Sequence, residues 1–307
     1  MNFSSVRSSE LHLLFGTLPD AVLLTDRHGG VEYLNPAAEH LTRHSLQDAE
    51  GRLLSEILPL GGDVDAPPLS SPAAACLREG ESIGPFVARL LTERAAGRVV
   101  EVSAGPLLNA EGALDGAIVL IRDITRARLE VRRLAYRASH DSLTGLVNRA
   151  EFERRLERAF TGATERNVEH LIGFLDLDGF KRINDDCGHL AGDELLRQLS
   201  AIVQGQMRAR DTVARLGGDE FGILLEHCTA AEGARIANAI RKAISNHAYV
   251  CEGKAHRLGV SVGIVSLRGQ PSAVEALRAA DSACYLAKHE GGNRVRVHHP
   301  EPVDSNP

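Results

Sequence analysis

From Pro19 onward, apolar and polar positions group into short runs, and AVLLTD and VEYLN flank the tetrapeptide RHGG. Two apolar-rich runs around a glycine-containing turn predict a β-hairpin. Asn35-Pro36 follows at once. Asparagine caps free helical amides and proline is tolerated at the first helical position, so a helix is predicted from about Pro36 to Leu41. A Gly/Pro/Ser-rich stretch from Gly61 to Pro72 interrupts the pattern. Three strand-like runs then appear, FVARLLTE, RVVEVSAGPLL and GAIVLIRDIT. The first part of the chain thus reads as a small mixed α/β unit.

The period then changes. Ile124, Ala127, Val131, Leu134 and Ala138 form a short heptad seam, with Arg126, Arg128, Glu130, Arg132, Arg133 and Arg137 on the outward positions. One reading is an amphipathic helix on its own domain; the other is a parallel two-stranded coiled coil joining two protomers. Farther on, HLIGFLDLDGFKRINDD contains a buried-looking strand that ends in Asp176 and Asp178. Alternation puts both carboxylates on one side with the Leu177 carbonyl between them, which offers hard oxygen ligands to magnesium. The bland reading is that they only terminate the strand. DTVARLGGDEFGILLE places two strand-like runs around Gly217-Gly218, a dipeptide suited to a tight turn with positive φ, and leaves Asp219 and Glu220 beside it. Asp193 opens a segment with Leu195, Leu196, Leu199, Ile202 and Val203 at helical spacing, and HRLGVSVGIVSL supplies a later alternating strand.

Length and composition narrow these readings. At roughly 150 residues per domain, 307 residues imply two compact units. Hydrophobic residues at 43% and charged residues at 25% give each unit material for a core. No run of about 18 apolar residues occurs, and the N-terminus lacks a basic region followed by an apolar core, so no membrane span or secretion is expected. A net charge of −6 without a long basic tract argues against a nucleic-acid partner. Cys76, Cys187, Cys228, Cys251 and Cys284 are far apart and form no CxxC pair, which argues against a zinc cage or disulfide framework and makes a reducing cytoplasm the simplest home. His28, His40 and His44 are expected at the surface, and Cys76 against a core.

Two resemblances join these pieces. LLTDRHGGVEYLNPAAE and DGAIVLIRDIT resemble PAS sensory domains over residues 10–125, which implies a curved antiparallel sheet with flanking helices and a ligand of unspecified identity. Residues 126–139 read as a helical coiled-coil linker. Residues 140–298 resemble GGDEF-type diguanylate cyclases: the signature Gly217-Gly218-Asp219-Glu220-Phe221 is intact, supported by DSLTGLVNR, DLDGFKRIND, GHLAGD and ACYLAKHEGGNR. The overall class is α/β, more narrowly α+β, and the resemblance implies a palm-like second domain.

The resemblance also implies a reaction: two GTP molecules condense into cyclic di-GMP and release two pyrophosphates. It places metal on Asp176, the Leu177 carbonyl and Asp219, with Mg2+ expected and Mn2+ as the alternative. Asp219 or Glu220 would be the base or would orient it; the two roles stay open. Asn184 and Asp193 would read guanine, because a carboxylate accepts from N1–H and N2–H₂ and an amide both donates and accepts. Lys181 and Lys288 would lie near the phosphates, and His189 near ribose or base. Where the family often carries a second basic residue, this chain has Gly292, with Arg294 nearby. No GxxxxGK[ST] loop is present, so phosphate binding rests on magnesium, amides and these lysines. Arg208 and Asp211 form an RxxD that resembles the product-inhibition site. Joining two nucleotides requires two facing domains, which favours the homodimeric coiled coil. The competing class is a non-catalytic module that senses GTP or cyclic di-GMP, and a third reading is a piece of a longer cyclase/phosphodiesterase.

Overall fold

The computed structural model describes residues 12–62, 71–91, 97–166 and 168–298. The chain divides into two compact units between Arg132 and Arg133.

The first unit is one six-stranded antiparallel sheet: β1 (Ala21–Asp26), β2 (Val31–Leu34), β3 (Leu60–Gly61), β4 (Ile83–Leu90), β5 (Val99–Leu108) and β6 (Leu114–Asp123), in the order β2-β1-β6-β5-β4-β3. The expected hairpin is β1–β2, closed by Asp26 Oδ1, which accepts from the amides of His28 and Gly30 at 2.8 Å each. Helices α1 (Pro36–Thr42), α2 (Leu46–Ala49), α3 (Leu54–Ile57) and α4 (Pro72–Glu79) accompany the sheet. Asn35 caps α1 as expected and does more. Its Oδ1 accepts from Ala38 N and Val22 N, while its Nδ2 donates to the carbonyls of Phe15 and Asp20, so one buried amide ties the helix start to β1. All four polar capacities are used, as a buried amide requires. The core holds Leu23, Leu34, Leu41, Ile57, Val102, Val119 and the fully buried Cys76. Thr92 and Glu93, at the end of the FVARLLTE run, and most of the Gly61–Pro72 stretch lie outside the described residues.

Helix α5 (Thr125–Ser139) carries the heptad seam and has no buried residue. Val131 is 65% exposed and Leu134 56%. Ile124 falls just before the helix, where its amide bonds to Val99 O at 3.0 Å; Thr125 is the first helical residue. The strand-to-helix junction therefore replaces the first seam position.

The second unit comprises β7 (Val147–Asn148), α6 (Arg149–Arg166), β8 (Leu171–Asp178), α7 (Phe180–Cys187), α8 (His189–Gln204), β9 (Thr212–Gly217), β10 (Glu220–Leu225), α9 (Ala230–Asn246), β11 (Tyr249–Cys251), β12 (Lys254–His256), β13 (Gly259–Ser266), α10 (Ala273–His289) and β14 (Val295–His298). Its main sheet has the order β14-β13-β8-β10-β9-β7, and β11–β12 is a separate two-stranded hairpin. β8 lies in the centre and is covered on both faces. Leu171, Leu175 and Leu177 join Leu195, Leu199, Ile236 and Ile240 of α8 and α9, whereas Ile172 and Phe174 join Phe152, Leu156, Ala276 and Ala280 of α6 and α10. The strand period of two thus puts Asp176 and Asp178 on the α6/α10 side.

Three expectations need correction. Helix α8 begins at His189 rather than Asp193, because Gly188 (φ 83°, ψ 162°) breaks the chain one residue after α7. β13 is an alternating strand in sequence yet buried throughout its interior, because Gly263 lets the α10 backbone close on it. Cys187 and Cys251 form a disulfide across 64 residues of sequence, against the expectation that their spacing argues against a disulfide framework. Their Cα atoms are 6.3 Å apart, within the ordinary range for such a bond, and only the tertiary fold creates that proximity. Among the described residues no helix is long and apolar enough to cross a membrane.

Candidate active site

The DLD segment ends β8, and the glycine turn returns the chain along it as β10. The register pairs Glu220 with Asp176 and Phe221 with Leu175. Phe221 joins the Leu175 cluster, so Glu220 falls on the same sheet face as Asp176. Asp219 precedes it, with its carbonyl 3.4 Å from Leu177 N. Gly217 (φ 152°) and Gly218 (φ 53°) supply the backbone conformations of the turn.

These carboxylates share one electrostatic environment. Burial pushes the Asp176 carboxyl above its ordinary range; Lys288 opposes this, and the charges of Asp219 and Asp178 add to it. Lys288 Nζ lies 2.6 Å from Asp176 Oδ1. Burial opposes the Lys288 charge, but the Asp176 carboxylate outweighs it and holds the ammonium above the lysine norm. Burial also raises Glu220, against Arg149, with Asp176, Asp281 and Asp219 adding to the rise. The two carboxylates of the DLD segment divide their roles. Asp178 accepts from Ser261 Oγ at 2.8 Å and from Asn293 N at 2.7 Å, and so fastens β13 and the chain after α10 to the end of β8. Asp219 makes no ion pair among the described residues.

Two arginines brace the turn. Arg215 Nε donates to Gly218 O at 3.0 Å, and its Nη1 to both oxygens of Asp141 at 3.2 and 3.3 Å. Arg149 Nε donates to Leu216 O at 3.0 Å, and its Nη2 lies 3.7 Å from Glu220. Asp141, Arg149, Arg215 and Ser261 have structural duties that sequence reading did not assign. The first three stand within quoted motif segments, but nothing local says what they touch.

Asn184 and Asp193 stand on α7 and α8, either side of the Gly188 elbow. Gly192 leaves room for the Asn184 amide: a Cβ there would lie 1.9 Å from Asn184 Oδ1 and 3.2 Å from Phe180 Cζ. The obstructing oxygen belongs to a side chain that can swing away, so Gly192→Ala is expected to fold while displacing Asn184. Loss of one polar base contact at about 1.4 kcal/mol is a tenfold change. If Asn184 reads guanine, as the resemblance implies, steady-state kinetics should show KM for GTP raised about tenfold; an unchanged KM would speak against that role.

Lys181 and His189 are exposed on α7 and at the start of α8. Lys288 instead reaches the acidic edge from α10. Arg294 is turned back, with Nε donating to Gly292 O at 3.4 Å and Nη1 3.3 Å from Glu290. Gly292 has φ 69°, and a Cβ there would meet the Asp178 carboxylate at 3.1 Å, so the departure from a basic residue is matched by local backbone. Arg208 and Asp211 share one turn: Asp211 N bonds to Arg208 O at 3.0 Å, and Asp211 Oδ2 accepts from Arg208 N at 3.0 Å. The other Asp211 oxygen accepts from Glu226 N at 3.3 Å, and Arg208 Nη2 lies 3.6 Å from Glu232.

Among the described residues no three His, Cys, Asp or Glu side chains converge as a ready chelate. The oxygen set at the turn, Asp176 and Asp219 with the Leu177 carbonyl, has one backbone member, and Lys288 lies on Asp176. The charges of Asp219 and Asp178 nonetheless add to the raised proton affinity of the partly buried Asp176, a crowding that a divalent cation relieves, and all-oxygen donors suit magnesium or manganese.

Comparisons with known proteins agree with this arrangement. The family described as "Diguanylate cyclase, GGDEF domain" matches residues 138–294, and that described as "PAS fold" matches residues 15–129. The chain is 35% identical over 293 residues to the probable diguanylate cyclase DgcE of Escherichia coli, covering 95% of this chain and 26% of that protein. It is 34% identical to the cyclic di-GMP phosphodiesterase PdeB of Shewanella oneidensis, covering 92% of this chain and 32% of that protein. With the diguanylate cyclase TpbB of Pseudomonas aeruginosa it shares 41% identity over 176 residues, 56% of this chain and 40% of that one. The chain thus spans less than half the length of each. The crystal structure of the coiled coil and GGDEF domain of DgcB from Caulobacter crescentus, in complex with c-di-GMP, is similar with a TM-score of 0.55 and 28% identity, covering 57% of this chain and 93% of that one. With more than half its residues matched by one profile, behind a PAS fold, this chain belongs to the diguanylate cyclase GGDEF-domain family.

Proposed function

We propose that the chain is a diguanylate cyclase regulated by its PAS domain, with a sensory domain over residues 10–125, a helical linker over 126–139 and the cyclase domain over 140–298. The observation that carries this reading is the pairing of Asp176 with Glu220 across β8 and β10, with Asp219 beside them and Lys288 at 2.6 Å. In the reaction the 3′-hydroxyl of one GTP attacks the α-phosphorus of another, its proton passes to Asp219 or Glu220, and pyrophosphate leaves. Burial raises the proton affinity of Glu220, the direction that favours a proton acceptor. Asp176, Asp219 and the Leu177 carbonyl would hold Mg2+ or Mn2+. The bound ion supplies charge neutralisation at the phosphates. Lys288 adds a positive charge there from α10 and Lys181 a second from α7, while Asn184 and Asp193 select guanine and His189 borders the nucleotide.

One domain offers one GTP site, so the product requires two domains to face each other. The exposed apolar seam of α5 supports a homodimer through the linker helix, since linking raises the effective concentration of the half-sites. Arg208 and Asp211 form the product-inhibition site, although Asp211 must exchange backbone partners for guanine. GTP is a cytoplasmic metabolite, so a cyclase domain that consumes it is read as cytoplasmic.

Purified protein incubated with GTP and magnesium should form cyclic di-GMP and pyrophosphate in a 1:2 ratio, by chromatography and mass spectrometry. Binding of GTP without product would instead establish the sensing module. The similarity to a phosphodiesterase over 92% of this chain favours a second arrangement, in which these two domains precede a hydrolytic domain in a longer protein.

A further inference from the structure

Cys187 is the last residue of α7, three positions after Asn184, and Cys251 ends the first strand of the β11–β12 hairpin. The disulfide between them closes the hairpin onto the helix that carries the proposed guanine contact. A two-stranded hairpin alone is marginally stable in water, and this one pairs only through Tyr249–His256, Val250–Ala255 and Cys251–Lys254. Cys187 is followed directly by the Gly188 elbow, beyond which Gly192 seats the Asn184 amide. Whatever holds Cys187 therefore holds one side of that elbow.

The pair differs from the other cysteines. Cys76, Cys228 and Cys284 are buried free thiols. Burial raises the pKa of each, Cys284 to about 12, so none is a ready thiolate. Cys187 and Cys251 are only half-buried, and His256 Nε2 lies 3.8 Å from Cys187 Sγ. In a reducing compartment a lasting disulfide is unusual, and those that form there are transient and redox-sensing.

We propose that Cys187 and Cys251 form a reversible thiol-modification site that takes small-molecule disulfides and, when closed, fixes α7 so that Asn184 is held for the nucleotide base. The Cys187 thiolate attacks one sulfur of the small disulfide RSSR, forming a mixed disulfide and expelling RS−. The Cys251 thiolate then attacks the Cys187 sulfur, closing the protein disulfide and expelling the second RS−. The two protons lost by the cysteines are taken up by the two RS− groups, so two cysteines are oxidised as one RSSR is reduced to two RSH.

The proposal rests on the reading of Asn184 as a guanine contact. It is tested on the full chain equilibrated in glutathione or glutathione disulfide, with a fluorescent GTP analogue whose binding needs no turnover. Peptide mass spectrometry should find the Cys187–Cys251 link in the oxidised sample and alkylated thiols in the reduced one. The oxidised protein should bind the analogue at least threefold more tightly, and Cys251→Ser and Cys187→Ser should bind equally in both buffers. A pair that ignores the buffer, equal affinity in the two states, or a redox response that survives in both serine variants would overturn the proposal. If the affinity shift appears but neither state makes cyclic di-GMP, the cyclase reading falls while the redox site stands.

Discussion

Replacing Asp219 by alanine is expected to lower the rate of cyclic di-GMP formation by on the order of 10³-fold with little change in thermal stability. Removing a single electrostatic contact to the transition state typically costs 10²–10³ in turnover, and here the same carboxylate is both a proposed ion ligand and a candidate proton acceptor. The fold should tolerate the loss. The Asp219 side chain makes no ion pair among the described residues, the turn is held through the backbone by Arg215 and Arg149, and its carbonyl faces Leu177 N. Removing a like charge also lessens the crowding that raises Asp176 and Glu220. Turnover within threefold of the unmodified protein would place the chemistry elsewhere.

Gly263→Ala is expected to damage the fold of the second unit severely. A Cβ at Gly263 would sit 2.2 Å from Ala280 O, 2.4 Å from Cys284 N and 2.9 Å from Ala283 C, all backbone atoms of α10. No side-chain rotation relieves contacts to a helix backbone, so α10 must retreat from β13, opening the Ile172–Ala280 core and moving Lys288 away from Asp176. Overpacking of this kind costs about 3 kcal/mol, and at roughly 2–4 °C per kcal/mol the melting temperature of the second unit should fall by about 6–12 °C. Gly162→Ala is the control. It lies in α6 with nothing within 4 Å of the added Cβ, and helix propensity favours alanine, so its melting temperature should hold or rise slightly. Equal behaviour of the two variants in differential scanning calorimetry would refute the close-approach account.

What sequence reading captured was governed by neighbours along the chain. Asn35-Pro36 announces its helix because the cap and the fixed φ act within three residues, and the two-glycine turn announces its hairpin because the required φ values are local. The shared face of Asp176 and Asp178 followed from strand period alone. Their division of labour did not, because the partners that claim Asp178 come from 83 and 115 residues away. The burial of β13 was hidden for a similar reason. Gly263 reads as a weak strand residue until α10 is packed against it. The Cys187–Cys251 bond lies beyond any spacing rule, since the elements that carry the two residues meet only through the core beneath them. At the RxxD turn the register was legible, but the engagement of Asp211 by the amides of Arg208 and Glu226 was not.

Asp176 and Asp219 are proposed jointly to hold a divalent ion over a guanine nucleotide. Electron paramagnetic resonance of Mn2+ titrated into the protein with 3′-deoxy-GTP, which lacks the attacking hydroxyl and so forms no product, measures this directly. The unmodified protein should take up Mn2+ in a nucleotide-dependent way, and Asp176→Ala and Asp219→Ala should each weaken that uptake at least tenfold. Undiminished nucleotide-dependent Mn2+ binding in both variants would contradict the claim.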